Sequence, residues 1–192
     1  MFRLALALTC LAAVAPAADP PKKPDWFSKA SKEFTATCDP AEAKPGQTVT
    51  FKLTLHLNDG YTVYPTKQPD RPAAGMVSKI DFPKPGAVVF VGTLADPPSP
   101  KTKAEPELGI EKLHYYTGKV VWERKFVVNP TQAAGDVTVQ LPNVKLTVCD
   151  ATNCFPAKAQ TPEAKLKVLA GPAVAVDPAL ADEVTKALAE KK

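Results

Sequence analysis

Cys149 and Cys154 lie close together in the run "VKLTVCDATNCFPAKAQ", residues 144–160. In an oxidising compartment, two thiols at this spacing can hold a hairpin shut as a permanent disulfide, or open and close in exchange with other thiols. Asp150-Ala151-Thr152-Asn153 between them are good turn formers. A four-residue loop is a common hairpin connection and would leave the cysteines facing each other across the ladder. Directly opposed strand residues have Cα atoms roughly 4.5–5.5 Å apart, within reach of a disulfide. The loop so closed is short, and its chain-entropy gain is only about 2 kcal/mol. A domain of this size does not need that stabilisation. Energetics therefore tilts from staple towards switch, and spacing alone leaves both open. Asp150, next to Cys149, disfavours a thiolate there, which points to Cys154 as the attacking and attacked sulfur.

Other chemistries find little support. C-x4-C is not the usual zinc pair, and only Cys38, His56 and His114 could supply further ligands, so neither a metal nor another cofactor is expected. No nucleophile-elbow, metalloprotease or phosphate-loop motif is present. The net charge of +4 is scattered as single lysines among acids and implies neither nucleic acid nor anionic lipid.

The elements that must position the pair alternate with period two. In "TVTFKLTLH", Val49, Phe51, Leu53 and Leu55 share one face; in "KVVWERKFVV", Val120, Trp122, Phe126 and Val128 do, with Arg124 the exception. "DVTVQL", "VKLTVC", which ends at Cys149, and "AKLKVL" repeat the pattern more briefly, separated by turn signals. Short strands of this kind predict a mainly β chain folded as an antiparallel sandwich. Many of the 21 prolines fall between residues 65 and 106, which predicts a long irregular excursion with short strands at "MVSKIDF" and "AVVFV". Asp177-Pro178 starts a C-terminal helix of about three turns, with Leu180, Val184 and Leu188 as its thin apolar stripe.

The first residues read as a cleavable signal peptide: Arg3, an apolar run from Leu4 to Val14, then "APAAD" for cleavage after Ala17 or Ala18. The mature chain is then expected to be periplasmic or secreted, with no membrane span. Cys10 would leave with the signal, so Cys38, Cys149 and Cys154 remain, and Cys38 is expected to be a buried, free strand cysteine. The expected organisation is residues 1–18 signal peptide, 19–33 extended leader, 34–172 sandwich and 173–192 helix.

"LNDGYTVYP", "HYYTGKVVWERKFVV" and "VKLTVCDATNCFP", in that order, resemble the N-terminal periplasmic domain of the thiol:disulfide interchange protein DsbD, a disulfide bond corrector domain. The resemblance runs from about Cys38 to Val168. It implies an immunoglobulin-like sandwich that carries reducing equivalents to partner thiol proteins, as a protein-disulfide reductase acting with those partners. The family's redox pair falls on Cys149 and Cys154, with Cys154 forming the mixed disulfides. Its cap loop falls on His114, Tyr115, Tyr116, Thr117 and Gly118, with Tyr116 in the covering position. The implied partners are thioredoxin-like periplasmic proteins. The family's membrane core and C-x-x-C domain have no counterpart in the sequence, so the electron donor is expected to be a separate membrane-bound protein. The competing expectation is a non-catalytic envelope binding or structural sandwich whose hairpin disulfide never turns over.

Overall fold

Alternating burial organises the molecule from its third strand outwards. The computed structural model describes residues 25–155 and 158–190; the expected signal peptide, Cys10 and the leader up to residue 24 lie outside them. A short helix α1 (Trp26–Ala30) leads into β1 (Ser31–Asp39), β2 (Glu42–Ala43), β3 (Thr48–Leu57) and β4 (Thr62–Val63). The proline-rich excursion carries β5 (Lys79–Asp81), β6 (Val88–Phe90) and β7 (Lys101–Glu105). Next come β8 (Ile110–Tyr115), β9 (Lys119–Val128), β10 (Gly135–Gln140), β11 (Asn143–Lys145) and β12 (Val148–Cys149). β13 (Ala159–Gln160), β14 (Glu163–Val168) and helix α2 (Pro178–Ala189) complete the order.

One sheet runs β1-β3-β9-β6, all antiparallel. Every second residue of β3 is buried, and the register sets Val49 opposite Phe126, Leu53 opposite Trp122 and Leu55 opposite Val120. These apolar cross-strand pairs fix the face turned inwards. The opposing layer is assembled from β10-β14-β2 and β13-β11-β5, and its Val139, Val144, Ala164, Leu166 and Val168 share one core with β3 and β9. The chain is thus an antiparallel β-sandwich, with one parallel pairing among the described residues, of β14 with β2.

Arg124 breaks the inward pattern of β9 for a visible reason. Its guanidinium lies 4.4 Å from the ring centre of Phe82 and 5.7 Å from that of Phe90, so the sandwich edge holds the charge by cation–π contact. Burial lowers its pKa.

Two expectations need correction. "VKLTVC" is not one strand: β11 pairs with β5 and β13, whereas β12 pairs with β4. The alternation of buried residues continues through the break, but Thr147 turns its backbone N–H to Ser78 Oγ and its hydroxyl to the Val77 carbonyl. The strand changes neighbours without changing faces, which periodicity cannot register. The extended leader is also partly wrong, since α1 packs Phe27 and Ala30 into the core and β1 already begins at Ser31.

The C-terminal helix docks on the outer side of the sheet. Val184, with Leu180 and Leu188 beside it, packs on Val89, Val91 and Val127. Glu183 accepts the Gly92 N–H at 2.9 and 3.0 Å, and Asp177 caps the helix by accepting the Ala179 N–H. Before the helix, the Val174 carbonyl passes so close to Gly46 that an added Cβ would sit 2.1 Å from its oxygen, and Gly46 has φ +84°. Only glycine suits that position.

Candidate functional site

The hairpin that carries the cysteines is held by its own polar residues. Asp150 Oδ1 accepts the N–H groups of Thr152 and Asn153, both at 2.8 Å, and the Thr152 hydroxyl at 3.1 Å. The backbone bonds from Thr152 and Asn153 hold the Asp150 pKa below its usual range. The Asp150 N–H donates to Asn153 O, and the Phe155 N–H donates to Val148 O. Cys149 and Cys154 thereby meet as an antiparallel bridge and form a disulfide, with Cα atoms 3.9 Å apart.

The two sulfur residues differ in surroundings. Cys149 is 5% exposed and packs with Tyr64, Ala73, Ile110 and Leu113 in a small second core. Cys154 is exposed at the surface of the hairpin. Both border a cleft of about 450 Å³, whose far wall is the β7–β8 hairpin, through Lys103, Glu105, Leu113 and Tyr115. That hairpin was not read from the sequence. "KTKAE" is charged and almost wholly exposed, so it has no apolar alternation to show, and only the Pro106–Gly109 turn with its left-handed glycine marks the reversal.

Tyr64 is the aromatic that reaches a sulfur. Its hydroxyl lies 3.6 Å from Cys154 Sγ, and burial raises its pKa, so it stays protonated. Ser78, a buried hydroxyl, donates to the Tyr64 carbonyl at 2.7 Å and accepts the Thr147 N–H. It therefore ties the tyrosine to the strand that delivers Cys149. Tyr64 stands in the motif "LNDGYTVYP", yet nothing in the spacing pairs it with a cysteine 90 residues away. Lys103 faces the same cleft and is ion-paired with Glu105 at 2.6 Å; hydrogen bonding to Glu105 raises its pKa.

The segment expected to cap the pair is divided by its alternation. Tyr115 lines the cleft with the disulfide. Tyr116 turns the other way, into the sandwich core, and donates its hydroxyl to Pro97 O at 2.7 Å. Burial pushes its pKa up to about 12. Tyr64 and Tyr115 line the cleft and Tyr116 does not, because adjacent residues on extended chain face opposite sides. His114 exchanges two backbone bonds with the Gln68 side chain, Thr117 and Gly118 border a neighbouring cavity, and Tyr116 bonds Val63 in both directions. The stretch is anchored chain, fixed on both sides.

Cys38 stands apart, on β1 opposite Phe51. It is buried and free, and burial pushes its thiol up to about 11. Almost none of it is thiolate at neutral pH, so it is a poor nucleophile. Peptide mapping after alkylation of the native oxidised protein at pH 8 is expected to show the 149–154 bridge intact and Cys38 unlabelled until denaturant is added. A bridge from Cys38 to either partner would contradict this geometry. Among the described residues, no group of three or more side chains is placed to hold a metal ion, and no helix is long and apolar enough to cross a membrane.

No family model matches the chain, and no curated protein matches it. Among solved structures, the N-terminal periplasmic domain of ScsB from Proteus mirabilis aligns with 80% of this chain at 18% identity and a TM-score of 0.44. The alignment covers 51% of the ScsB chain, so this chain spans about half of that protein's solved length. The N-terminal domain of Neisseria meningitidis DsbD in its reduced form aligns with 71% of this chain and 90% of its own, at 13% identity and a TM-score of 0.37. Both neighbours are N-terminal domains of their proteins.

Proposed function

We propose that the chain is a periplasmic thiol:disulfide interchange module that carries two electrons on the Cys149–Cys154 pair. The observation that carries the reading is the division of the pair: one sulfur residue buried, the other exposed, at the edge of one cleft. A permanent staple has no use for that asymmetry, whereas an exchange site needs an accessible sulfur and a protected resolving one.

The steps balance without any further group. In the reduced chain the Cys154 thiolate attacks one sulfur of a partner disulfide, and the other partner sulfur leaves as a thiolate that takes up a proton. Cys149, deprotonated, then attacks Cys154 Sγ, closes the hairpin disulfide and releases the partner as a dithiol. Two electrons and two protons have passed to the partner. Closure is favourable because the Asp150 turn already holds both cysteines together. Recharging is the same exchange run in reverse by a separate dithiol donor, membrane-bound in this reading, and the acceptors are thioredoxin-like proteins.

Tyr64 supports the first step. A protonated hydroxyl 3.6 Å from Cys154 Sγ is placed to donate to the thiolate, and donation to the charged form lowers a thiol's pKa. Tyr64→Phe is expected to slow alkylation of reduced Cys154 at pH 7 by about three- to ten-fold, measured by stopped-flow with a neutral alkylating agent. An unchanged rate would remove the tyrosine from the mechanism. The function itself is tested by mixing the reduced chain with an oxidised thioredoxin-like protein and following the partner's free thiols. Transfer of one dithiol per chain is expected; no transfer at equilibrium would leave a structural disulfide.

A further inference from the structure

The segment that follows Cys154 does not run free. Phe155 stacks on Trp26 of α1, with ring centres 5.1 Å apart and planes 9° from parallel. Tyr61 closes on the same ring at 6.2 Å. Trp26 in turn meets Phe27 edge-on, and Phe27 meets Phe34 of β1, so the stack is rooted in the core. Lys158 forms an ion pair with Asp25, the residue before α1. On the other side, α1 is fastened to the loop before β4: the Asn58 amide side chain donates to Lys29 O, and its backbone N–H to Ala30 O. The segment 25–31 thus clamps the chain on the exit side of the redox hairpin, while the Asp150 turn holds the entry side.

We infer that Trp26 is a positioning residue that, through Phe155, holds Cys154 against Cys149 and so favours the disulfide over the dithiol. The reasoning is one of linkage. Reducing the pair consumes two thiols of a small reagent and yields its disulfide and the protein dithiol. The equilibrium depends on the effective concentration of the two protein thiols for each other. The Trp26–Phe155 contact is made in the disulfide form. If opening the bridge loosens residue 155, the dithiol loses part of that contact, and the contact then favours closure by the difference. By reciprocity, reduction must loosen α1. The inference deepens the exchange reading, resting on it for biological use, but the equilibrium exists whether or not a partner does.

The test is the equilibrium of the 149–154 pair with a reduced and oxidised dithiothreitol couple, read by alkylation and mass spectrometry. Trp26→Ala is expected to shift it towards the dithiol by about five-fold, and Trp26→Phe, which keeps a ring for the stack, to shift it much less. Phe155→Leu should give the same displacement, and the double variant no more than either single one. Circular dichroism of the oxidised variants identifies any that do not fold, and Phe155→Leu, which keeps an apolar side chain, then carries the test. A merely structural Trp26 would lower the melting temperature and leave the equilibrium where the wild type has it; that result would overturn the inference. A wild-type pair that equilibrates with dithiothreitol but passes no electrons to thioredoxin-like proteins would sink the exchange reading instead.

Discussion

Cys149→Ala in the reduced chain is expected to accumulate a mixed disulfide with a thioredoxin-like partner, and Cys154→Ala to accumulate essentially none. An attacking thiolate must approach a disulfide along its S–S axis, so access decides which sulfur reacts. Cys154 is exposed, whereas Cys149 is 5% exposed and packed in one cluster with Tyr64 and Leu113. Removing Cys149 leaves the accessible nucleophile and deletes the group that resolves its adduct, so the adduct persists. Among the described residues, removing Cys154 leaves Cys149 and Cys38, both buried. The Cys38 thiol, raised to about 11, adds no thiolate at neutral pH. Non-reducing gels and mass spectrometry of each variant with the oxidised partner make the measurement. Equal adduct from both variants would show that burial does not choose the sulfur.

Asp96→Ala is expected to lower the stability of the oxidised protein by about 3 kcal/mol, the second large effect. This carboxylate accepts the Thr66 N–H at 2.8 and 2.9 Å, the Thr66 hydroxyl at 2.8 Å and the Trp122 indole N–H at 3.0 Å. Trp122 is 1% exposed, so its donor finds no water when the acceptor goes, and an orphaned buried donor costs about 1–3 kcal/mol by itself. The Thr66 bonds are charge-assisted and tie the start of the proline-rich excursion, two residues beyond Tyr64, to the segment beside Pro97. Asp96→Asn keeps one carbonyl oxygen and should lose about half as much. Urea unfolding followed by Trp fluorescence reads both variants. A midpoint unchanged in Asp96→Ala would mean that the excursion is held by other contacts.

Where each face of a strand met one kind of environment, the sequence was readable. β3 and β9 alternate because one side meets the sandwich core, and the helix stripe of Leu180, Val184 and Leu188 was visible because one side meets Val89, Val91 and Val127. The cysteine pairing was legible for the same local reason, since turn chemistry and a bridge five residues apart are short-range properties. The surroundings of the pair were not. Tyr64, Lys103 and Trp26 reach the hairpin through folding of distant segments, and none carries a mark in its own neighbourhood. Tyr115 and Tyr116 show the limit most plainly: two adjacent tyrosines are equivalent in composition, and only the phase of the strand decides which one faces the sulfurs. The register of β8 with β7 supplies that phase, with Tyr115 on the cleft side and Tyr116 on the core side.

Equilibrating the oxidised chain with graded ratios of reduced and oxidised dithiothreitol or glutathione, then counting the thiols of Cys149 and Cys154, measures whether this pair is an exchange couple or a staple. An interchange module is expected to titrate reversibly as a two-electron couple, with a midpoint above about −300 mV and the fold retained in the dithiol form. A pair that stays closed to potentials below about −300 mV, or that opens only as the sandwich unfolds, would contradict the electron-carrying role and leave Cys149–Cys154 as a structural bridge.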